Sequence, residues 1–553
     1  MTDLNVADGL RRHAHERGAA AALMFPASGY TTAAPAWDTW TFHELDCHSD
    51  AYARGFVAQG IRRGDRTLLL VKPSLHFYAV LFGLFKLGAV PVLLDPGMGA
   101  RNLLTCIERT APRAVIAMSA VHAVRTVIRR PFAAAEILIT AGRRWFWGGS
   151  TLDTCHVAGE APFEVARLGP QEDAAIIFTS GSTGVAKGVT STQAMFAAQV
   201  RALGEMFDLT PGRIDHQAFA AFAIFDIALG MTSVIPKMNL SRPATADPAD
   251  IVACLQGSQA DVAFASPVVW QTVSRHCQEH GERLPHVKTL LTVGAPIPAY
   301  LHRRYRALLE PGVQVYTPYG ATEAMPISSI GTDEILNETW DRTARGAGTC
   351  VGAPAPGATV RIIAITDAPI HRWSDDLALP PDTLGEVVVG GEQTSPAYKD
   401  APAANAAAKI ADGDRVLHRM GDLGYLDDTG RLWFCGRKSH RLQTAAGVLP
   451  AVPVEGIYNE DPDVFRTALV GVGPVGEEVP VLCVELEPGT SWHPALAERL
   501  SALGEGTPYA GRVQRFLAHT GFPTDARHNS KIRREDLRPW AAARCADLLS
   551  GAI

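Results

Sequence analysis

The 553-residue chain has few cysteines, no surplus of positive charge and no long apolar run. Its nine cysteines stand singly, with no CxxC pair and no clustered Cys/His spacing, a pattern that supports neither a disulfide framework nor a zinc site. Lysine and arginine total 51 against 57 aspartates and glutamates, a net charge of −6. The basic excess needed to hold a phosphate backbone is missing, so nucleic acid is not an expected partner. No apolar stretch approaches the roughly 18 residues that cross a bilayer. The first residues, MTDLNVADGLRR, carry no apolar leader core, and the expectation is a protein of the reducing cytoplasm.

What is present suits a large globular protein. An apolar fraction of 47 % and a charged fraction of 20 % can fill sizeable cores, and the length calls for two or more domains. Residues 40–140 alternate helix-like stretches with short apolar runs at 67–71 and 89–94, and similar runs recur at 174–178 and 289–293. This predicts βαβ units with buried parallel sheets, whose ligands bind at the carboxyl ends of the strands. From about 347 the runs become short and β-rich, at 359–365 and 385–389, predicting a subdomain of mostly antiparallel strands. A further compact unit follows, with strands predicted at 467–471 and 481–486 and a helix at 494–503. The alanine-rich stretches 19–22 and 403–408 read as helix surface.

The richest segment in chemistry is IFTSGSTGVAKGV, residues 177–189, where an apolar strand empties into hydroxyls and glycines ending at a lysine. Gly181 and Gly184 let backbone N–H groups approach an anion, Thr179, Ser180, Ser182 and Thr183 add hydroxyls, and Lys187 adds a point charge. Such a loop can wrap a phosphate without being GxxxxGK[ST], because Gly188 follows the lysine; the alternative is a surface loop with incidental hydroxyls. In YGATE, residues 319–323, Tyr319 offers a face for a base, Thr322 a hydroxyl for phosphate and Glu323 a carboxylate for Mg²⁺; a turn before a helix would look similar.

These segments resemble the AMP-forming adenylating enzymes: acyl-CoA synthetases, peptide-synthetase adenylation domains and beetle luciferases. The resemblance spans nearly the whole chain. Thr179 to Gly188 matches the signature TSGSTGxxKG. WTFHEL, LFKLGAVPVLLDP, YGATE, GEVVVGG, GDLGYLDDTGRLWFCGR and HNSKIRREDL then fall in the family's order. It implies an α/β fold with a large N-terminal adenylate-forming domain of βαβ-type sheets plus a β-rich subdomain, residues 1–436, and a small mobile α+β lid, residues 437–553. It also implies ATP and Mg²⁺ as cofactors. Thr179 and Glu323 would hold the metal, Gly294, Ala295 and Pro296 would line the adenine pocket with Tyr319, Gly320, Ala321 and Thr322, and Asp422 would take the ribose hydroxyls beside Arg437. Lys531, within HNSKI, would reach the carboxylate and α-phosphate during adenylation, and Ser439 occupies the hinge.

The chain departs from the family pattern in two places. GRKSHRLQTAAG, residues 436–447, puts Ser439 and His440 where an acidic pair is usual and adds a residue before Gly447, which disfavours delivery of an external thiol; His440 reads as a surface residue, or as a candidate base for a substrate hydroxyl. In residues 219–236, Ala223 replaces a customary histidine, Phe219, Phe222 and Phe225 are candidates for an acyl pocket or ordinary core, and Asp226 is either a helix N-cap or a polar group near a substrate hydroxyl. Within the family the whole set is most similar to the OleC-type β-lactone synthetases of bacterial olefin biosynthesis. That implies a 3-hydroxy fatty acid carrying a 2-alkyl chain as substrate, ring closure by its own hydroxyl, and assembly with other enzymes of that pathway. AGRRWFWGGSTL, residues 141–152, reads as a surface loop or as a contact for a partner or lipid.

Overall fold

The computed structural model describes residues 4–179, 186–524 and 532–545. Two seven-stranded sheets form its larger part. One runs in the order Ser150–Thr151, Ile137–Ala141, Ala114–Met118, Arg66–Leu70, Val90–Leu94, Asp173–Thr179, Lys187–Thr192, parallel except for the last pair. The other runs Gln314–Tyr316, Thr289–Thr292, Val262–Ala265, Ile214–Gln217, Thr232–Val234, Ala21–Pro26, Trp37–Thr41, again parallel until its final antiparallel pair.

Many of their inner strands, such as Ala114–Met118, Val262–Ala265 and Val90–Leu94, are short apolar runs that are largely buried, as parallel strands covered by helices must be. The helix Leu75–Leu87 is apolar nearly all round, which is affordable only for a helix packed on every side. Ser74 caps its start and Gly88, at φ 76°, turns the chain out of it. One core joins this helix and Phe42–Ala58 to side chains of both sheets, including Leu23 of one and Ile116 and Ile139 of the other.

An antiparallel sheet follows, in the order Tyr319–Ala321, Ala324–Ser329, Thr349–Pro354, Leu432–Arg437, Arg415–Leu426, Gly385–Gly390, Thr359–Ile363. Beyond Arg437, Val464–Val472, Val479–Leu486 and Arg515–His519 make a three-stranded sheet packed by the helices Ala451–Tyr458, Pro494–Gly504 and Arg534–Ala542. No helix among the described residues is long and apolar enough to cross a membrane.

One expectation is corrected: Ala21 and Ala22 open the strand Ala21–Pro26 instead of covering a helix. Ala22 is fully buried and leads into Leu23, Met24 and Phe25, so packing against the adjacent strands overrides alanine's helical preference. The other stretch does form a helix, Pro402–Ala408.

Candidate active site

The carboxyl ends of both parallel sheets open onto one cavity of about 1980 Å³, bounded on its other side by the antiparallel sheet and by residues after Arg437. A volume well beyond the ~300–1,000 Å³ of an ordinary ligand pocket leaves room for a nucleotide and a long acyl chain together. Gly294, Ala295 and Pro296, which follow the strand Thr289–Thr292, line it, as do Tyr319, Gly320, Ala321, Thr322 and Glu323. Gly294 has φ 111°, a conformation open to glycine. YGATE is a hairpin between Tyr319–Ala321 and Ala324–Ser329, so the alternative of a turn before a helix is not what forms.

Asp422 and Arg437 face each other across neighbouring antiparallel strands. Arg437 Nη1 lies 3.0 Å from Asp422 Oδ1, and the Tyr319 hydroxyl donates to Asp422 Oδ2 at 2.5 Å. Burial and the adjacent carboxylate push the Tyr319 hydroxyl well above its ordinary pKa, and the same carboxylate raises that of Arg437. Tyr319 therefore stays a neutral donor and Arg437 a fixed cation. The three form one polar unit in the wall of the cavity.

Glu323 Oε1 accepts a hydrogen bond from the Tyr398 hydroxyl at 2.8 Å. Lys187 and Lys409 place their ammonium groups 5.0 and 5.4 Å from the centre of the Tyr398 ring. Burial lowers the Lys409 pKa to about 7, against the pull of Glu323. Tyr398 and Lys409 were not singled out by sequence reasoning. They lie 75 and 86 residues after Glu323 in a segment without a glycine-rich signature, and only the fold brings them together.

The apolar end of the cavity is aromatic. Phe222 packs 5.0 Å from Phe264 and 5.5 Å from Phe225, and Phe219 lies 5.2 Å from Phe264. Beside them sits a buried acid pair. Asp226 is not the N-cap of its helix: Ala223–Leu229 starts three residues earlier, behind a tight turn at Ala220–Phe222. Its carboxylate points inward, accepting from the Ser233 hydroxyl at 2.7 Å. Asp215 is its partner, and the Gln217 amide lies between them, 3.0 Å from Asp215 Oδ2 and 3.5 Å from Asp226 Oδ2. Both acids are 3 % exposed, both line the cavity, and Asp215 Oδ1 has no hydrogen-bond partner. Burial raises both pKa values; the neighbouring Asp226 carboxylate raises that of Asp215 further, while hydrogen bonds from Ser233 and Gln217 hold that of Asp226 back, so the pair keeps a proton that isolated aspartates would lose. Asp215 and Gln217 carry no signal in sequence, since Asp215, His216 and Gln217 in a row read as a polar surface segment and not as a buried strand.

Ser439 is exposed and follows Arg437 within the turn Lys438–His440. His440 is half-buried, a correction to the surface reading. Its Nδ1 lies 3.4 Å from Arg534 Nη1, and burial with the neighbouring arginines lowers its pKa to about 3, leaving a neutral ring at the cavity edge. Ser180, Gly181, Ser182, Thr183, Gly184 and Lys531 lie outside the described residues, as does the side chain of Thr179.

Residues 10–399 match the family described as AMP-binding enzyme. The chain is 44 % identical over 553 residues to an olefin beta-lactone synthetase of Xanthomonas campestris pv. campestris, with 98 % of each chain covered. It is 45 % identical over 548 residues to a protein of the same name from Stenotrophomonas maltophilia, again covering 98 % of each. Among solved structures, the amide bond synthetase McbA of Marinactinospora thermotolerans superposes with a TM-score of 0.79 over 97 % of this chain and 99 % of that one, at 21 % identity. At that identity the superposition speaks to the fold.

Proposed function

The chain belongs to the AMP-binding enzyme family and is an AMP-forming ligase, and from that premise we propose that it converts a 2-alkyl-3-hydroxy fatty acid to a β-lactone in two steps at one site. In the first, the substrate carboxylate attacks the α-phosphorus of ATP, and pyrophosphate leaves. In the second, the substrate's own 3-hydroxyl attacks the activated carbonyl. The carbonyl–oxygen bond to phosphate breaks, and AMP departs with the electron pair.

The residues divide between these steps. Tyr319, Asp422, Arg437 and the segment 294–296 would bind the nucleoside. Lys187 and the loop 179–184 would hold phosphate, and Lys531 would stabilise the charge that develops during transfer. Glu323, with Thr179, would hold Mg²⁺. Among the described residues no three acidic, His or Cys side chains surround an ion site. That donor set suits an ion bound through one carboxylate, waters and the phosphates themselves. Such an ion, when bound, neutralises phosphate charge. The division into domains 1–436 and 437–553, with Ser439 at the hinge, is supported by the small three-stranded unit that begins after Arg437.

The observation that carries the ring-closing step is the acid pair. Asp226, held opposite Asp215 at the aromatic end of the cavity and raised towards the neutral range by burial, can accept the 3-hydroxyl proton as the C–O bond forms. Holding chain and carbonyl together makes the attack unimolecular. The two curated olefin beta-lactone synthetases support the same outcome. The alternative, a fatty acyl-CoA or acyl-carrier ligase, shares the adenylate and differs in the nucleophile. Product mass after incubation with MgATP and the racemic hydroxy acid, with and without coenzyme A, decides between them. The expected product is the acid less one water, formed without coenzyme A; a thioester formed in its place would overturn the reading.

A further inference from the structure

Nine large apolar side chains are exposed among the described residues, and five of them, Val124, Val127, Ile128, Trp145 and Phe146, come from two adjoining segments. The helix Ser119–Val127 packs beside the loop 142–149. Ser119 Oγ donates to the Arg143 carbonyl at 2.6 Å, Arg125 Nη2 donates to the Trp147 carbonyl at 3.2 Å, and His122 stacks on the Trp147 ring at 6.0 Å. Trp147 is the anchor. It is buried, its indole N–H donates to Thr140 Oγ1 at 3.0 Å, and Trp145 and Phe146 pack against it at 6.2 and 5.5 Å while remaining 61 % and 78 % exposed. The fold therefore holds two aromatic rings out in solvent on a rigid base.

The same patch is basic on a protein of net charge −6. Residues 119–149 contain Arg125, Arg129, Arg130, Arg143 and Arg144 against one acid, Glu136. Glu136 is already held by Arg113 at 2.9 Å, and Arg130 pairs with Glu108 at 2.7 Å. Arg125, Arg129, Arg143 and Arg144 form no ion pair among the described residues. Val124 and Val127 stand at i and i+3 along one side of the helix, with Val127 83 % exposed, and Ile128, just past its end, is exposed beside them. Apolar side chains that stand this far out of the surface enter a deformable layer readily. Apolar and aromatic side chains rimmed by arginines are what the boundary between headgroups and acyl chains accommodates.

The patch also has a place relative to the site. Met118 and Val121, at the start of this helix, line the cavity. We propose that the surface formed by the helix Ser119–Val127 and the loop 142–149 docks the enzyme on an anionic lipid bilayer, with the arginines at the phosphates and Trp145 and Phe146 in the interface. This would bring the cavity beside the membrane. The contact stands on the patch alone, while its use, taking up a long-chain acid from the bilayer, rests on the substrate reading above.

The test is co-sedimentation of the full chain with vesicles of phosphatidylcholine alone and of phosphatidylglycerol and phosphatidylcholine at one part to two. Wild type should partition onto the anionic vesicles, less so as salt is raised, and remain in solution with the neutral ones. The double variants R143E/R144E and W145S/F146S should each lose about 10-fold or more in vesicle affinity, with ATP–pyrophosphate exchange on detergent-dispersed acid unchanged. That exchange reading keeps failure of the catalytic reading separate from failure of the docking. Equal binding of wild type and both variants, or no preference for anionic vesicles, would overturn the proposal. So would a wild-type chain that ignores vesicles but self-associates through Trp145 and Phe146, which would make the patch a protein interface.

Discussion

The hydroxyl of Tyr319 donates to Asp422 Oδ2 at 2.5 Å across 103 residues of sequence, while Arg437 holds the other oxygen of that carboxylate at 3.0 Å. The ring assigned to the adenine and the acid assigned to the ribose are thus one mechanical unit. Tyr319→Ala should raise the KM for ATP about 10-fold or more, because stacking on a base is worth roughly 1–3 kcal/mol. Tyr319→Phe keeps the ring and loses the tether, so its effect should be smaller. Adenylation kcat should change little in either, since these contacts are made equally in ground and transition states. Pyrophosphate exchange against ATP concentration measures both constants, and equal losses in the two variants would refute the stacking role.

Lys531→Ala should behave in the opposite way. A single charge-stabilising donor removed from a transferring group costs about 10²-fold or more in rate, while the nucleoside contacts of Tyr319, Asp422 and Arg437 remain. ATP affinity by equilibrium binding should stay near wild type as single-turnover adenylate formation falls. A matching loss of ATP affinity would assign Lys531 to ground-state binding.

The hydrogen bond from Tyr398 to Glu323 Oε1 fixes the carboxylate assigned to the metal. Tyr398→Phe removes that bond while keeping the ring between Lys187 and Lys409. The expected result is a rise of about 10-fold or more in the Mg²⁺ concentration needed for half-maximal exchange, on the scale of about 1.5–3 kcal/mol for a hydrogen bond to a charged group. ATP saturation at high Mg²⁺ should be close to wild type. An unchanged Mg²⁺ requirement would detach Glu323 from the ion.

Strand-then-glycine patterning marks two ends of the site in sequence, Thr289–Thr292 leading to Gly294 and Asp173–Thr179 leading to the hydroxyl-rich loop. The roles of Asp422, Arg437 and Lys531 come from the resemblance to the AMP-forming family, since alone they look like ordinary turn and surface residues. Tyr398 and Lys409 come from neither, because their partner is Glu323 and nothing local marks them. Asp226 fits two roles in sequence, cap or interior polar group, and the turn at Ala220–Phe222 decides between them. It starts the helix early and rotates Asp226 from the cap into the interior, opposite Asp215. Ala22 misled for the converse reason, since a helix-favouring residue was recruited to a buried strand.

The acid pair should also mark the stability of the protein. Both carboxyls titrate higher in the folded chain than in the unfolded one, where an aspartate titrates near its ordinary value. The native state binds more protons over the window between these values, so this contribution is fully present at low pH and lost as pH rises through the folded pKa of about 6 for Asp226. Asp215→Asn, which cannot ionise, should flatten that part of the profile, seen as a smaller fall in Tm from pH 5 to 7 than in wild type, the range set by roughly the shift described. An unaltered profile would mean that the pair does not share its proton as described.

The same pair predicts how the two half-reactions separate. If ionised Asp226 takes the 3-hydroxyl proton, ring closure needs its carboxylate free, so the lactone step should weaken as pH falls through about 6, whereas adenylation, which uses no hydroxyl, should not follow that limb. Asp226→Asn preserves shape and removes the base, and loss of general-base assistance costs about 10²–10⁴-fold. Pyrophosphate exchange should therefore persist while AMP and lactone release collapse, and the pH limb near 6 should vanish from what activity is left. The 3-deoxy acid gives the complementary control. It has no proton to surrender and no oxygen to close the ring, so it should stop at the adenylate in wild type and variant alike. Its turnover should not be rescued by coenzyme A, because the chain carries Ser439 and His440 in place of the usual acidic pair. If Asp226→Asn depressed exchange and lactone formation equally, Asp226 would be a packing residue of the aromatic wall, and the base would have to be sought elsewhere in the cavity.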